Sequence, residues 1–574
     1  MQNTDVITLP RLLGRLPKLL ANLPGLIKGA RMSKITDTRT PVGLARGFQL
    51  AVNHNPDGVA LMFEDQRFSY RDLNAWSNRV AHALTARGLR KGDTVAVAIE
   101  NRPELIATVL GCAKQGICVA LLNTSQREKV LIHSINLVAP KAIIVGEELH
   151  DAIEAVRSEL SLENGAFLFW ADRNTRDDVG IAPAGYINLA EALKDAPEHD
   201  PDTIKRIFLN DPLFYIYTSG TTGMPKAVIF NNGRWWKAYG GLGHAAVNLN
   251  AEDRMYCTLP LYHATGMVAC WSAIICASAT LVLARRFSSS RFWDEIRRYE
   301  CTAFGYVGEL CRYLNDAPRR KDDARNPLRV IVGNGLRPGI WRQFKQRFGI
   351  ERVVEIYGSS EGNVAFANIF GFDNTVGFST VSYAIVEYDK DADEPVRDAQ
   401  GFMKKVRKGD AWFNTGDMMR DIGFRHAQFV DRLGDTFRWK GENVSTTEVE
   451  QIIDQYPDVQ ESVVYGVEIP NTNGRAGMAR LCLKKALAGF NFEAFVDHLY
   501  KHLPIYAVPV FLRISYDAVE TTGTFKYQKN RLKEEGYDLS RQDNPVYVLL
   551  PDQPDYQRLT PELAAEIDGG EHRF

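Results

Sequence analysis

Leu213-Phe214-Tyr215-Ile216-Tyr217-Thr218-Ser219-Gly220-Thr221-Thr222-Gly223-Met224-Pro225-Lys226 is the stretch from which the rest of this chain can be read. Its first part is a short run of aromatic and aliphatic residues, the composition of a buried strand. Its second part is built from small residues, which let the backbone turn tightly and present successive N–H groups. Four hydroxyls (Thr218, Ser219, Thr221, Thr222) and Lys226 add further donors. A strand opening into such a cradle suits a polyphosphate. The loop is not of the G-x-x-x-x-G-K-[ST] type, and no G-x-G-x-x-G occurs in the chain, so a dinucleotide fold has no support.

On either side of this loop the pattern alternates. Tyr70–Arg87 has helical spacing of apolar residues, Thr94–Ala98 reads as a buried strand, Pro103–Gly116 as a helix, and Cys118–Leu122 and Lys141–Val145 as strands. The rhythm resumes at Leu281–Leu283, Arg329–Val332 and Val353–Ile356. It predicts an α/β fold with mixed, mostly parallel sheets covered by helices on both faces. Ala264–Ala284 carries no charge, but its Ala, Ser, Thr and Cys content points to a buried helix followed by a core strand rather than a membrane span. After Asp431 the chain becomes more charged and carries a separate small set of elements, Glu448–Asp454, Ser462–Val467 and Phe492–His502. The expected organisation is a basic segment over 1–40, a large N-terminal domain over 41–431, a small α+β domain over 432–550, and a loose acidic tail over 551–574.

The 574 residues amount to three or four folding units at roughly 150 residues each. With 69 basic and 70 acidic side chains, no global bias toward nucleic acid exists, and no nucleic-acid partner is expected. Eight cysteines without C-x-x-C or zinc spacing read as buried free thiols. The balance is nonetheless uneven along the chain. Residues 9–29 repeat as LPRLLGR, LPKLLAN and LPGLIKG, and residues 6–36 hold six basic side chains and no acidic one. Pro10, Pro17 and Pro24 argue against one straight helix. Short amphipathic turns on an anionic membrane surface would use both the leucines and the cations; a segment packed across the chain's own domain is the alternative.

The loop 217–226 resembles the nucleotide-binding motif of the acyl-adenylate-forming superfamily. The resemblance continues in order through Leu259-Pro260-Leu261-Tyr262-His263, Gly333-Asn334-Gly335-Leu336, Tyr357-Gly358-Ser359-Ser360-Glu361 and Thr415-Gly416-Asp417. Asp431-Arg432-Leu433-Gly434-Asp435-Thr436-Phe437-Arg438-Trp439-Lys440-Gly441-Glu442-Asn443-Val444 is similar to the fatty acid transport protein branch. So are Val307–Leu314 and Thr522-Gly523-Thr524-Phe525-Lys526. That branch comprises very-long-chain acyl-CoA synthetases.

The resemblance implies a ligase that activates a fatty acid with ATP through an acyl-adenylate and passes it to coenzyme A. It implies that Thr218, Ser219, Gly220, Thr221, Thr222, Gly223 and Lys226 hold the phosphates, Thr222 sitting close to the chemistry. Glu361 would ligate Mg²⁺. Gly333, Asn334 and Gly335 form the adenine side, Tyr357 stacks on adenine, Ser360 faces the α-phosphate region, and Gly358 and Ser359 bind the nucleotide beside them. Asp417 would accept hydrogen bonds from the ribose hydroxyls, with Arg432 beside it. Tyr306 and Gly308 border the acyl group with His263, which is either a core or gating histidine or an acid–base group. Lys526 is the expected adenylation lysine, with Lys529 as a competitor because the usual Gly-Lys order is absent. Gly434 takes the hinge position about which the C-terminal domain rotates.

Only 56 positions separate Glu361 from Asp417, and the chain looks shortened near residue 402. A compact variant and an inactive one both remain open. So do a ligase for another bulky apolar carboxylate, sterol-derived or carnitine-like, and a lipid-uptake protein with weak or no catalysis. The expected location is the cytoplasmic face of a membrane, with the cytoplasm as alternative, and a homodimer is the assembly considered.

Overall fold

The structure, a computed structural model, describes residues 5–35, 37–172, 180–218, 224–360, 362, 364–389, 394–397, 403, 415–432, 437–439, 442–470, 472, 474–503, 505–516, 529–551, 553–572 and 574. Two compact units are present: residues 1–381 with 423–426, and residues 382–422 with 427–574.

In the first unit the apolar run before the phosphate loop forms the strand Pro212–Thr218. Its seven-stranded sheet has the order Ile187–Asn188, Phe167–Trp170, Ala142–Gly146, Thr94–Ala98, Cys118–Leu121, Pro212–Thr218, Lys226–Asn231. All neighbours are parallel except the last pair. The crossover helix Pro103–Gln115 is buried along its whole length, which explains why it is apolar on every side. Its two charges are neutralised locally. Glu104 pairs with Arg102 at 2.9 Å, and Lys114 reaches Asp200 at 3.5 Å and Asn74 and Asn78 at 2.6 Å each.

The second sheet has eight strands in the order Ala365–Ala367, Arg352–Gly358, Val330–Asn334, Ala303–Val307, Arg254–Cys257, Thr280–Leu283, Val59–Phe63, Gln66–Ser69. Its interior is parallel and its two edge pairs antiparallel. The expected α/β architecture with mostly parallel sheets holds. Within 264–284 a π-helical turn Thr265–Cys270 and a helix Trp271–Ala277 precede the core strand Thr280–Leu283. Among the described residues no helix is long and apolar enough to cross a membrane. All eight cysteines are free, and seven of them are buried.

The N-terminal heptads form three short helices: α1 (Leu9–Leu13), α2 (Leu16–Ala21) and α3 (Leu23–Ser33). Each carries its proline in the first turn, where the missing N–H has no intrahelical acceptor to lose. The segment packs on its own unit, where Asn22 Nδ2 donates to the Ala245 carbonyl at 3.0 Å. Ala245 lies in a π-helix spanning Tyr239–Val247.

The second unit contains the hairpin Asp417–Asp421 with Ala427–Arg432 and a five-stranded sheet ordered Val459–Val467, Ala476–Leu483, Phe511–Ser515, Val546–Val548, Gln557–Arg558. Helices Thr446–Ile453 and Phe492–His502 contribute Val449, Ile453, Phe495 and Leu499 to its core. The C-terminal residues are not a loose tail. Gln557–Arg558 pairs antiparallel with Val546–Val548, the helix Pro561–Gly569 follows, and Tyr556, Leu559 and Ile567 are buried. A few apolar side chains anchor this segment, while Glu562, Glu566, Asp568 and Glu571 are exposed; composition averaged over the stretch hid that division.

Candidate functional site

The phosphate loop closes a hairpin at a sheet edge. Thr218, half-buried, stands opposite the exposed Lys226 in the register of the two strands. The expected ligands Ser219, Gly220, Thr221, Thr222 and Gly223 lie outside the described residues, so the structure speaks for the base of the hairpin alone. That base is fastened to the helix Glu128–Leu137. Tyr217 Oη donates to the Ser134 carbonyl at 2.6 Å, and His133 Nε2 donates to the Pro225 carbonyl at 3.0 Å. Burial pushes the Tyr217 phenol up, so it stays protonated and able to donate.

The outgoing strand Lys226–Asn231 leads into the helix Asn232–Ala238, whose first turn Asn231 caps by accepting from Arg234 N at 2.8 Å. The Arg234 guanidinium then reaches across to the Ser360 carbonyl at 2.6 Å. One side chain thereby ties the phosphate hairpin to the segment Tyr357-Gly358-Ser359-Ser360. Tyr357 is half-buried at the end of the strand Arg352–Gly358, edge-on to Phe366 at 5.6 Å, and Gly358 and Ser359 are exposed. Glu361, expected to hold the metal, lies outside the described residues. Among the described residues no cluster of metal-ligating side chains occurs elsewhere.

Gly333, Asn334 and Gly335 follow from the neighbouring strand, in register with Ala303–Val307. The two strand ends touch backbone to backbone. A Cβ on Gly308 would fall 1.7 Å from the Gly335 oxygen, and one on Gly333 would fall 1.9 Å from the Tyr306 oxygen. Only residues without a side chain allow that approach. Beneath them sits the fully buried carboxylate of Glu355. It accepts from Gly335 N at 2.5 Å, from Leu336 N at 3.3 Å and from the Tyr306 hydroxyl. Burial pushes its pKa up to about 8, against the opposing pull of these three donors. Tyr306 is itself fully buried, with its hydroxyl turned to Glu355.

His263, half-buried, lies in the turn between Leu259 and the π-helical Thr265–Cys270. Thr265 Oγ1 donates to Asn334 Oδ1 at 3.0 Å, joining the His263 turn to the glycine loop. The turn is also clamped from the other sheet. Asn101 Nδ2 donates to the carbonyls of Leu259 at 2.8 Å and Ala284 at 3.2 Å, and Asn101 Oδ1 accepts from Leu261 N at 3.0 Å. A single buried amide thus holds strand ends of both sheets together.

In the second unit Asp417 and Arg432 are paired directly across the hairpin register, and Asp417 is half-buried. Lys526 and the hinge residue Gly434 lie outside the described residues. Lys529 does not: its ammonium sits 3.0 Å from Glu450 Oε1 and 2.9 Å from Thr446 Oγ1, largely buried. It is engaged in the packing of its own unit.

Three residues that the motifs did not mark therefore organise the site: Glu355, Arg234 and Asn101. The readable signal for Glu355 was a lone charge inside the apolar strand Val353-Val354-Glu355-Ile356. Asn101 sat with Arg102 as a polar pair between an apolar strand and an apolar helix. Arg234 carried no signal, because its partner is a backbone carbonyl 126 residues away.

Residues 48–401 match the family model described as AMP-binding enzyme, and residues 448–526 match the AMP-binding enzyme C-terminal domain. The chain is 39% identical to a medium/long-chain-fatty-acid–CoA ligase, FadD6, of Mycobacterium tuberculosis, covering 98% of this chain and 97% of that protein. It is 36% identical to the mouse long-chain fatty acid transport protein 6, covering 89% and 88%. The first of these alignments runs over 600 positions, more than the 574 residues here, so that relative carries residues this chain lacks. Among solved structures, the anthranilate CoA ligase AuaEII in complex with anthranoyl-AMP shares the fold with a TM-score of 0.73 over 88% of this chain and 98% of that one, at 19% identity. A Mycobacterium tuberculosis fatty acyl CoA synthetase does so with a TM-score of 0.57 over 87% and 99%, at 20% identity. With the family model spanning most of the larger unit and its companion lying within the smaller one, the chain belongs to the AMP-binding enzyme family.

Proposed function

We propose that this chain is an ATP-dependent fatty acid–CoA ligase for long or very long acyl chains, acting through an acyl-adenylate. The observation that carries the reading is the joining of the glycine loop 333–336 to the His263 turn and to Tyr357's strand through Thr265 and Glu355. A nucleotide base on that loop would lie beside an acyl carboxylate at His263. Full-length similarity to a fatty-acid–CoA ligase supports the substrate class.

A carboxylate reacts poorly with a thiol until it has a good leaving group. Attack on the α-phosphate of ATP expels pyrophosphate and leaves a mixed anhydride that coenzyme A can open. The protein's task is to place the groups and offset developing negative charge. Thr218–Gly223 and Lys226 would hold the β- and γ-phosphates, Tyr357 the adenine, and Asp417 with Arg432 the ribose. Lys526 would balance charge between carboxylate and α-phosphate; the burial of Lys529 against Glu450 favours Lys526 over its competitor. A carboxylate such as Glu361 suits Mg²⁺, which would ease the charge on the phosphates. The C-terminal domain would rotate about Gly434 between the two half-reactions. The basic, acid-free N-terminal segment supports peripheral attachment to the cytoplasmic face of a membrane.

The test is pyrophosphate release across a series of fatty acids of increasing length, with and without coenzyme A. Release that needs a long-chain acid, with thioester formed when coenzyme A is present, is the expected result. No release with any acid overturns the ligase reading. Release without thioester marks an adenylate-only enzyme, for which the shortened segment near residue 402 would be the first place to look.

A further inference from the structure

Residues 5–33 are fastened to the first unit at both ends. Asp5 accepts from Arg342 Nη2 at 2.6 Å and from Asn374 Nδ2 at 3.1 Å, and Ile7 is buried. At the other end Asn22 holds the Ala245 carbonyl. There α3 lies so close to the π-helix Tyr239–Val247 that a Cβ on Gly25 or Gly29 would come within 2.5 Å of a carbonyl oxygen, that of His244 or of Gly240.

Between these anchors the heptad sorts its side chains. The fourth-position Leu12, Leu19 and Leu26 are half-buried. The first- and fifth-position residues, Leu9, Leu13, Leu16, Leu20, Leu23 and Ile27, are all exposed, from 43% to 64%. Their alternating spacing of four and three sets them along α1, α2 and α3 in succession, a run of large apolar side chains that water does not favour. Around them Lys18, Lys28, Arg31 and Lys34 are exposed, and none is in an ion pair with a described residue.

We propose that this ridge docks the chain on an anionic lipid surface, its leucines entering between the acyl chains and its cations lying among the headgroup phosphates. The inference rests on the peripheral-membrane reading and gives it a definite surface. A surface-lying segment with an apolar row and basic flanks is what such an interface binds. Charge argues against a second copy as the occupant. A self-paired seam would bring two sets of cations together with no acidic residue between Val6 and Ile35 on either side. The prolines also break the seam into helices too short for continuous coiled-coil packing. Because α3 is seated directly on the π-helix, lipid contact is made by an element rigidly joined to the first unit.

The test uses the full chain in vesicle flotation, with phosphatidylcholine alone and with phosphatidylcholine containing phosphatidylglycerol. Wild type should float with the anionic vesicles and much less with the neutral ones, and added salt should weaken the binding. The double variant L13S/L20S should bind roughly tenfold or more weakly. Its melting temperature and its pyrophosphate release with a detergent-solubilised long-chain acid, in the absence of vesicles, should stay unchanged, since neither side chain is buried. The pair K28E/R31E should lose the preference for anionic lipid. If wild type floats and both variants float equally well, the chain binds membranes through another surface and the ridge assignment is wrong. If wild type fails to float with any vesicle, the peripheral-membrane reading falls with it. If size-exclusion chromatography shows a dimer that L13S/L20S dissociates, the ridge is a self-association seam and the lipid proposal is overturned.

Discussion

Glu355 shows how one side chain can set the position of a whole loop. Its carboxylate is fully buried, carries no partner cation in the described hydrogen bonds, and instead takes two backbone N–H groups and a phenol. Glu355→Gln keeps the shape and an oxygen for the two N–H groups, which share Oε1, but sets an NH2 against the Tyr306 hydroxyl in place of an acceptor. The KM for ATP should rise about tenfold, the scale of one hydrogen bond lost, while the KM for the acid stays nearly constant. Steady-state kinetics with each substrate varied in turn checks this. The same residue predicts a pH effect on stability. Its folded pKa, about 8, lies above the ordinary carboxylate value. The folded state therefore binds more protons than the unfolded state over that interval. Stability from this group is fully present below the ordinary carboxylate pKa and is lost as pH rises through about 8. The slope approaches about 1.4 kcal/mol per pH unit, and Glu355→Gln should flatten it in urea titrations run across that range. Lys526→Ala should abolish acyl-adenylate formation but leave transfer from supplied acyl-AMP to coenzyme A largely intact. Undiminished pyrophosphate release would show that another cation does this work.

At the scale of elements, the site depends on strand ends being held in register with one another. Asn101 spans the C-terminal ends of strands in both sheets and satisfies three backbone groups with one buried amide. Asn101→Leu would leave those groups without partners, and about 3 kcal/mol of stability should be lost. A lower urea midpoint with an unchanged m-value is the corresponding observation. A second element-scale prediction concerns the hinge. Gly434→Pro should stall thioester formation while sparing pyrophosphate release, because proline restricts the backbone change that rotation demands. Equal loss of both half-reactions would count against a hinge at that position.

For the whole molecule, the near-zero net charge conceals a division of labour. The cation-rich N-terminal segment is a rigid appliqué on the first unit, with the first- and fifth-position residues of its heptads outward. The acidic C-terminal stretch is a strand and helix of the second unit. The acidic end is not the loose tail that composition suggests, and the basic end packs on its own unit, one of the two alternatives its sequence offers. In both, a few apolar side chains find partners within the fold, and most of the described charges remain in water.

Local pattern was enough to determine the α/β alternation, the strand before the phosphate loop, the buried helix and strand within 264–284, and the order of the nucleotide motifs. Each of these depends on periodicity or on small residues within a dozen positions, where sequence neighbours are also spatial neighbours. Tertiary structure decided the rest. It showed Tyr306 turned inward to Glu355, Lys529 paired with Glu450, Arg234 reaching the Ser360 carbonyl, and the leucine heptads divided into an inner and an outer set. Those facts join residues far apart in the chain, often through backbone groups that every residue possesses. No side-chain code marks such partners in advance; they exist only once the strands have been laid side by side.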